Sequence, residues 1–215
     1  MKPVVAVTAR LDPDYLIQPE GAVGHPDPHV WMDVAAWSEC VETVAATLAR
    51  FDPEHADHYA RNAAAYRATL AELDAYVEQA IVSIPEPQRV LVTAHDAFNY
   101  FSRRYRIPVR SIQGLSTDSQ AGVNDINRLV DFLVMRKVPA VFVESSVSSK
   151  NVYAVIEGAQ QQGWNLAIGG ELFSDAMGEP GTFEGTYVGM LTHNAATIAE
   201  ALGGEVPEGE VPGGP

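Results

Sequence analysis

Three ionisable side chains follow short apolar runs of the chain, and their types suit metal binding. His95 follows the first of these runs after two intervening residues, Glu144 comes directly after the second, and Asp175 lies in a loop beyond the third. The runs lie near residues 90–92, 140–143 and 166–168. If these runs are parallel strands, their carboxyl ends form the ligand-binding edge of an open α/β sheet. An imidazole and one or two carboxylates should therefore converge at that edge.

A second imidazole, His29, lies in the stiff segment Asp27–Asp33. Pro28 fixes its own φ and biases Asp27 toward an extended conformation, so His29 is presented from a rigid loop just before a helix. Imidazoles and carboxylates without a usable thiolate suit a divalent transition metal such as zinc or manganese. The ordinary alternative is a histidine in a loop that starts a helix.

The other candidates also have structural interpretations. Thr93 or Asp96 could cap the helix after His95, and either could hold the other ring nitrogen of His95 if its imidazole binds a metal. The structural alternative is a capping turn with an exposed histidine. Glu144 is expected to support a neighbouring residue or to cap a helix rather than to bind metal. Asp175, taken alone, could be a structural loop residue, although an ionised carboxylate there can bind a metal.

The remaining histidines and the single cysteine are weaker candidates. His55 and His58 are three residues apart at the start of a helix and are expected to form a solvated face. His193 is expected to pack or to lie on the surface of the last helix. Cys40 is expected to be a small buried apolar residue, and one cysteine can form neither an internal disulfide nor a thiolate metal site.

Composition limits the class of protein. The 215 residues can bury one large core or two modest ones, and 47% of them are hydrophobic. The formal net charge of −14 argues against a nucleic-acid partner, which would need a basic surface, and is compatible with cation capture. No apolar run approaches the ~20 residues needed to span a bilayer.

The elements that position the candidate residues begin with helices. Apolar residues recur at spacings of three and four from Val34 to Leu48 and again from Tyr59 to Ile81, which predicts two amphipathic helices. Asp52 and Pro53 are typical of a helix start. At ~1.5 Å per residue the second helix is predicted to be about 40 Å long.

From residue 89 the pattern becomes alternating strand and helix. Strands are predicted near 89–93, 108–112, 139–143 and 165–168. Helices are predicted near 97–105, 122–136, 150–162 and 184–202. Continuous apolar strands between helices indicate a parallel sheet covered on both faces, so the fold class is α/β with flanking helices. The tail after residue 203 is expected to be disordered.

The start of the chain is predicted to be a lone strand at residues 4–8, too short for a signal-peptide core. A lone strand before a long helix suggests that a preceding lobe is missing from this chain. The apolar stripe Tyr66, Leu70, Leu73 and Val77 should then be partly exposed. Such a patch would favour self-association through the long helix.

Five short motifs, in this order, resemble the cluster A-I substrate-binding proteins of metal ABC transporters, the zinc- and manganese-binding lipoprotein family. They are DPHVWMD at 27–33, TAHDAFNYF at 93–101, IQGLSTDSQAG at 112–122, FVESSVS at 142–148 and GELFSDAMG at 170–178. The residues Gly185–Tyr187 and His193–Asn194 also fit. The resemblance covers nearly all of residues 1–203.

The resemblance implies two α/β lobes joined by a long rigid helix, with the metal in the cleft between them. It implies that His29, His95 and Asp175 are metal ligands, with a fourth ligand, a histidine, supplied by a first lobe. This chain would correspond to the C-terminal half and would bind metal weakly without that ligand, for which His25 could partly substitute. The signal peptide and lipid-attachment cysteine of the family are not found in this chain.

The resemblance also implies a function and a place in the cell. The protein would capture Zn²⁺ or Mn²⁺ as cargo and deliver it to an ABC transporter permease, outside the cytoplasm, with no chemistry of its own. One alternative is a metal-dependent hydrolase that uses the same His/His/Asp site, with Glu144 as general base. Another is a metal-free interaction module.

The predicted division of the chain has four parts. They are a remnant of the first lobe with the metal-site loop (1–30), a helical connector (31–87), an α/β lobe (88–203) and a disordered tail (204–215).

Overall fold

The structure is a computed structural model that describes residues 4–19, 24–114, 122–208 and 211–214. It begins with short 3₁₀ turns at Val7–Arg10 and Pro13–Tyr15. The strand predicted at residues 4–8 is therefore wrong. Val4 is 97% exposed, and none of the described strands pairs with this segment, so no hydrogen-bonded partner stabilises a strand there.

Two helices that pack against each other follow, α1 at Val34–Phe51 and α2 at Ala56–Ser83. The carboxylate of Asp33 caps α1 by accepting a hydrogen bond from the backbone N–H of Ala36 at 3.0 Å. A 3₁₀ turn at Pro53–His55 leads into α2. The 28 residues of α2 extend over about 42 Å, which confirms the predicted long helix.

The second part of the chain alternates strands and helices, as predicted. Its elements are β1 Leu91–Thr93, α3 Asn99–Tyr105, β2 Val109–Ser111, α4 Val123–Arg136, β3 Ala140–Glu144, α5 Lys150–Gln161, β4 Ala167–Leu172 and α6 Tyr187–Ala201. β1 pairs in parallel with β2, and β3 pairs in parallel with β4. β1 also lies beside β3, so the carboxyl ends of these two strands meet at one edge.

The core lies between these strands and the helices around them. α2 packs against α1, α3 and α6. Leu70, Leu73 and Val77 are fully buried, and only Tyr66, with 36% of its surface exposed, remains accessible. The exposed stripe predicted on α2 is therefore wrong for three of its four residues, because neighbouring helices of this chain cover them. The predicted apolar patch on α2 therefore no longer supports self-association through this helix.

The predicted division of the chain into four parts stays a prediction. Within the last part, the backbone N–H of Glu205 donates to the hydroxyl of Ser83 at 2.7 Å, and Pro212 is buried. Gly213 approaches Thr69 and Val188. Glu205 and Gly213 of the tail therefore lie against α2 and α6. None of the helices in the described parts of the chain is both long and apolar enough to cross a membrane.

Candidate metal centre

His95 is held at the edge of the sheet by the last residue of the neighbouring strand. It follows β1 by two residues and is fully buried. Its Nδ1 lies 2.6 Å from Oε2 of Glu144, and its backbone N–H donates to Oε1 of the same carboxylate at 2.8 Å. A carboxylate at Nδ1 favours the tautomer that leaves the Nε2 lone pair free for a metal.

The surroundings of His95 also change its proton affinity. Burial by itself lowers the pKa of the imidazole, but the hydrogen bond and charge of Glu144, aided by the charges of Asp175 and Asp96, outweigh it and raise the pKa above the ordinary value. Glu144 therefore supports His95, as expected from the sequence. The alternative partners, Thr93 and Asp96, do not hold the ring: Thr93 Oγ1 donates to the backbone carbonyl of His95 at 3.0 Å.

His29 is held in the same way by a residue of its own loop. Its Nδ1 lies 2.7 Å from Oδ1 of Asp27, and its backbone N–H donates to that oxygen at 2.9 Å. Asn99 Nδ2 donates to the other carboxylate oxygen of Asp27 at 3.0 Å, and the Tyr100 hydroxyl donates to the backbone carbonyl of Asp27 at 3.1 Å. Helix α3, which follows His95, thus fixes the loop that carries His29.

The ionised form of Asp27 is stabilised in this setting. Burial raises the pKa of the carboxyl, but the hydrogen bonds from His29 and Asn99 outweigh burial and lower the pKa below its ordinary value. This role of Asp27 was not predicted from the sequence. The sequence feature that indicates this role is an aspartate two residues before a histidine, in a loop stiffened by Pro28. This spacing lets one carboxylate oxygen of Asp27 reach both the backbone N–H and the ring of His29.

The carboxylate of Asp175 lies close to both imidazoles. Its Oδ1 lies 3.3 Å from Nε2 of His29, and its Oδ2 lies 3.3 Å from Nε2 of His95. The two imidazole rings are 5.5 Å apart between centroids and nearly perpendicular. One ligand atom from each of the three residues lies within 4.8 Å of the others. A metal with bonds of about 2.0–2.2 Å fits among such atoms after a small contraction.

The other histidines lie outside this cluster. His55 is exposed and pairs with Asp52 at 2.8 Å, and Nε2 of His58 accepts a hydrogen bond from Nδ2 of Asn62 at 3.1 Å on the same exposed face. His193 contacts the backbone carbonyl of Glu171 at 2.9 Å. His25 is exposed. In the described parts of the chain, the His29, His95 and Asp175 group is the one cluster suited to hold a metal ion.

An apolar cleft of about 510 Å³ opens beside Asp175. Aromatic side chains from the His29 segment, both long helices and α6 line it, and Met177 of the Asp175 loop is half exposed there. The aromatic residues are Trp31, Trp37, Tyr66 and Tyr187. The two imidazoles are thus enclosed by protein, whereas the carboxylate of Asp175 faces an opening.

The fold is similar to that of solved metal-binding proteins. The chain superimposes on the periplasmic zinc binding protein TroA from Treponema pallidum with a TM-score of 0.87 and 47% sequence identity, over 92% of this chain and 71% of that chain. This likeness places the fold in the class of metal ABC transporter substrate-binding proteins, which confirms the resemblance inferred from the five motifs.

Sequence comparison gives the family. A family model described as zinc-uptake complex component A, periplasmic, matches residues 1–201, and the chain belongs to this family. It is 48% identical over 197 residues to the manganese-binding lipoprotein MntA of Bacillus subtilis, covering 92% of this chain and 64% of that protein. It is 51% identical over 176 residues to the zinc-binding protein TroA of Treponema pallidum, covering 82% and 57%. The chain thus spans about three fifths of the length of these relatives.

Proposed function

We propose that this chain binds a divalent metal ion, Zn²⁺ or Mn²⁺, as cargo through His29, His95 and Asp175, as part of a protein that delivers the ion to an ABC transporter permease. One observation carries the proposal: the Nε2 atoms of two buried imidazoles and both oxygens of one carboxylate face each other within bonding reach of a single ion. The carboxylates at both Nδ1 atoms support it, since such partners orient imidazole ligands for metals.

The names of the relatives support the cargo and the destination. They are a manganese-binding lipoprotein and a zinc-binding protein, and the family is described as a component of periplasmic zinc uptake. By analogy the full-length protein acts outside the cytoplasm. Zinc binds such nitrogen and oxygen sites more tightly than manganese, so zinc is the expected ligand in vitro, whereas the metal supply in the cell governs loading.

The alternative of a metal-dependent hydrolase is less well supported. It needs a general base next to a metal-bound water, and Glu144 was the candidate. Both oxygens of Glu144 are engaged with His95, one at Nδ1 and one at the backbone N–H, on the side of the ring away from Asp175. A carboxylate in this position orients His95 and lies across its ring from the cluster, where a metal-bound water would be.

Equilibrium dialysis with metal analysis tests the proposal. The chain should bind one zinc ion, with lower affinity than complete structural zinc sites, whose binding free energies are ~10–16 kcal/mol, because the resemblance implies a fourth ligand from another lobe. His95→Ala should abolish binding, since it removes a buried imidazole ligand. His55→Ala is the matched control: it removes an exposed histidine that pairs with Asp52 and should leave binding unchanged. Equal effects of the two substitutions would place the site elsewhere.

A further inference from the structure

The three proposed ligands are held in different ways. A buried carboxylate fixes each imidazole directly, whereas Asp175 lies in the loop between β4 and α6 with 36% of its side chain exposed. In the described parts of the chain, the groups found within ion-pair distance of its carboxylate are the two imidazoles. The position of Asp175 therefore depends on how the backbone just before it is held.

Two side chains hold that backbone from the C-terminal lobe. Asn194 of α6 is fully buried, and its side-chain amide forms two hydrogen bonds with the backbone of Phe173. Its oxygen accepts from the backbone N–H at 2.9 Å, and its nitrogen donates to the backbone carbonyl at 2.7 Å. The hydroxyls of Ser146 and Ser174 lie 2.9 Å apart and share a hydrogen bond. These contacts join the loop to elements of its own lobe.

Trp31 adds a contact of another kind, because it belongs to the segment that carries His29. Its indole N–H donates to the backbone carbonyl of Ser174 at 3.0 Å, one residue before Asp175. Its ring packs edge-on against the imidazole of His29, with 5.3 Å between centroids. The hydroxyl of Tyr187 donates to the backbone carbonyl of Trp31 at 2.8 Å and fixes the segment further.

We infer that Trp31 is a positioning residue: its indole N–H fastens the Asp175 loop to the His29 segment and thereby slows the release of bound metal. The inference rests on the proposed function. When this hydrogen bond opens, Asp175 can swing away with its loop, whereas the two imidazoles stay fixed by Asp27 and Glu144. Loss of Asp175 leaves two of three ligands, so the open loop is the state from which metal escapes.

The direction and size of the effect follow from the energy of one hydrogen bond. A net contribution of ~1 kcal/mol corresponds to about a fivefold change in an equilibrium constant at 25 °C. Because the contact restrains the loop that carries Asp175 and does not touch the ion, its loss should act on the dissociation rate. The association rate should change much less than the dissociation rate, as is common for variants of one binding site.

Trp31→Phe tests the inference, since phenylalanine keeps an aromatic ring against His29 and lacks the N–H donor. Zinc-loaded protein is mixed with excess chelator in a stopped-flow instrument, and the release rate is measured. Trp31→Phe should release zinc about three- to tenfold faster than the original chain. Trp31→Ala, which also removes the packing against His29, should be at least as fast.

Trp164→Phe is the matched control. The indole N–H of Trp164 donates to the backbone carbonyl of Val138 at 2.8 Å, the same type of hydrogen bond in a part of the lobe away from the cluster. Its loss should lower the melting temperature without changing zinc release. If Trp31→Phe releases zinc at the original rate while Trp31→Ala is faster, the ring acts through packing alone and the inference is wrong. Equal acceleration in Trp31→Phe and Trp164→Phe would mean a general loss of stability and would also overturn it.

A second measurement separates this inference from the proposed function. In metal-free protein, amide hydrogen exchange over residues 173–178 should be faster in Trp31→Phe than in the original chain and unchanged in Trp164→Phe. Unchanged exchange in Trp31→Phe would show that the hydrogen bond does not hold the loop. If the original chain binds no metal, the proposed function is wrong and the prediction for zinc release is wrong as well. The exchange measurement still decides whether Trp31 restrains the loop.

Discussion

At the scale of single residues, the main feature is that each imidazole of the cluster has its own buried carboxylate. Asp27 lies against Nδ1 of His29, and Glu144 lies against Nδ1 of His95. A proton shared with a carboxylate at Nδ1 leaves Nε2 as the lone-pair atom, and both Nε2 atoms face Asp175. The two carboxylates therefore set the tautomer as well as the orientation of the rings.

Glu144→Gln tests this role of the carboxylate. A glutamine can still accept from the backbone N–H of His95, but its NH₂ group then faces Nδ1 and donates to it. The proton of the neutral ring must move to Nε2, where it blocks the metal. We expect a 10- to 100-fold loss of zinc affinity, the usual effect of removing such a partner. A competition titration with a zinc-binding dye measures it.

The control for this prediction is Glu171→Gln. Glu171 lies in β4 and is exposed, and its contact with His193 uses the backbone carbonyl rather than the side chain. The zinc affinity of the Glu171→Gln variant should equal that of the original chain. An unchanged affinity in Glu144→Gln would mean that the tautomer of His95 is set by something else.

At the scale of elements, the pairing of β3 with β4 contains an irregularity before the Asp175 loop. Val141 pairs with Ile168 but Phe142 pairs with Gly170, so one residue of β4 is left out of register. Gly170 has a φ of +144°, and a Cβ atom placed there would lie 2.5 Å from Cγ2 of Thr197 on α6. Glycine at this position lets the strand and the helix approach each other closely.

Gly170→Ala is expected to destabilise the lobe by about 2–4 kcal/mol. Part of this is the strain of an alanine at positive φ, and the rest is overlap with Thr197, whose β-branched side chain has few alternative rotamers. Urea denaturation measures the change. Gly163→Ala separates the two parts, because Gly163 has a φ of +79° and a Cβ atom added there would meet no atom within 4 Å. It should cost only about 1 kcal/mol. Equal losses for the two variants would mean that the close approach to Thr197 carries no cost.

Much of the element order could be predicted from the sequence, because it depends on local patterns. The spacing of apolar residues predicted α1 and α2, and the apolar runs predicted the four strands after residue 89; the structure contains all of them. The positions of His95 and Asp175 followed from the rule that strand ends meet at one edge. The cluster was thus expected from local signals together with motif order.

The errors and omissions concern contacts between distant parts of the chain. A short apolar run such as Val4–Val7 indicates a strand only if a partner strand exists, and the described residues contain none for it. The stripe on α2 showed which face is apolar but not that helices of this chain cover it. Asn194 and Trp31 were missed as supports of the Asp175 loop because their partners lie 21 and 143 residues away.

At the scale of the whole molecule, protonation of His95 links stability to pH. The pKa of His95 is raised in the folded protein above the ordinary value of 6.5, so the folded state holds this proton more tightly than the unfolded state does. The resulting stabilisation is fully present below about pH 6.5 and is lost as the pH rises through the folded pKa. Metal binding has the opposite dependence, since zinc needs the unprotonated Nε2.

We therefore expect two opposite trends in the melting temperature as the pH rises above about 6.5. Without metal, the contribution of His95 should make the melting temperature fall as the pH rises. The increase caused by saturating zinc should grow over the same range. Calorimetry with and without zinc measures both, and Glu144→Gln should flatten the metal-free trend because Glu144 is the main group that raises the pKa. A metal-free trend that is equal in both proteins would contradict the role of this pair.

The uneven burial of α2 has a mechanical consequence. Its C-terminal half contributes most of its buried residues, whereas Ala63 is the one buried position in the described stretch 56–69. A rod about 42 Å long that is clamped at one end acts as a lever. A tilt of about 5° at the clamp displaces the far end, with the turn at Pro53–His55, by roughly 2–4 Å. The tip of the α1–α2 hairpin is therefore the part of this helix pair that moves furthest when α2 tilts.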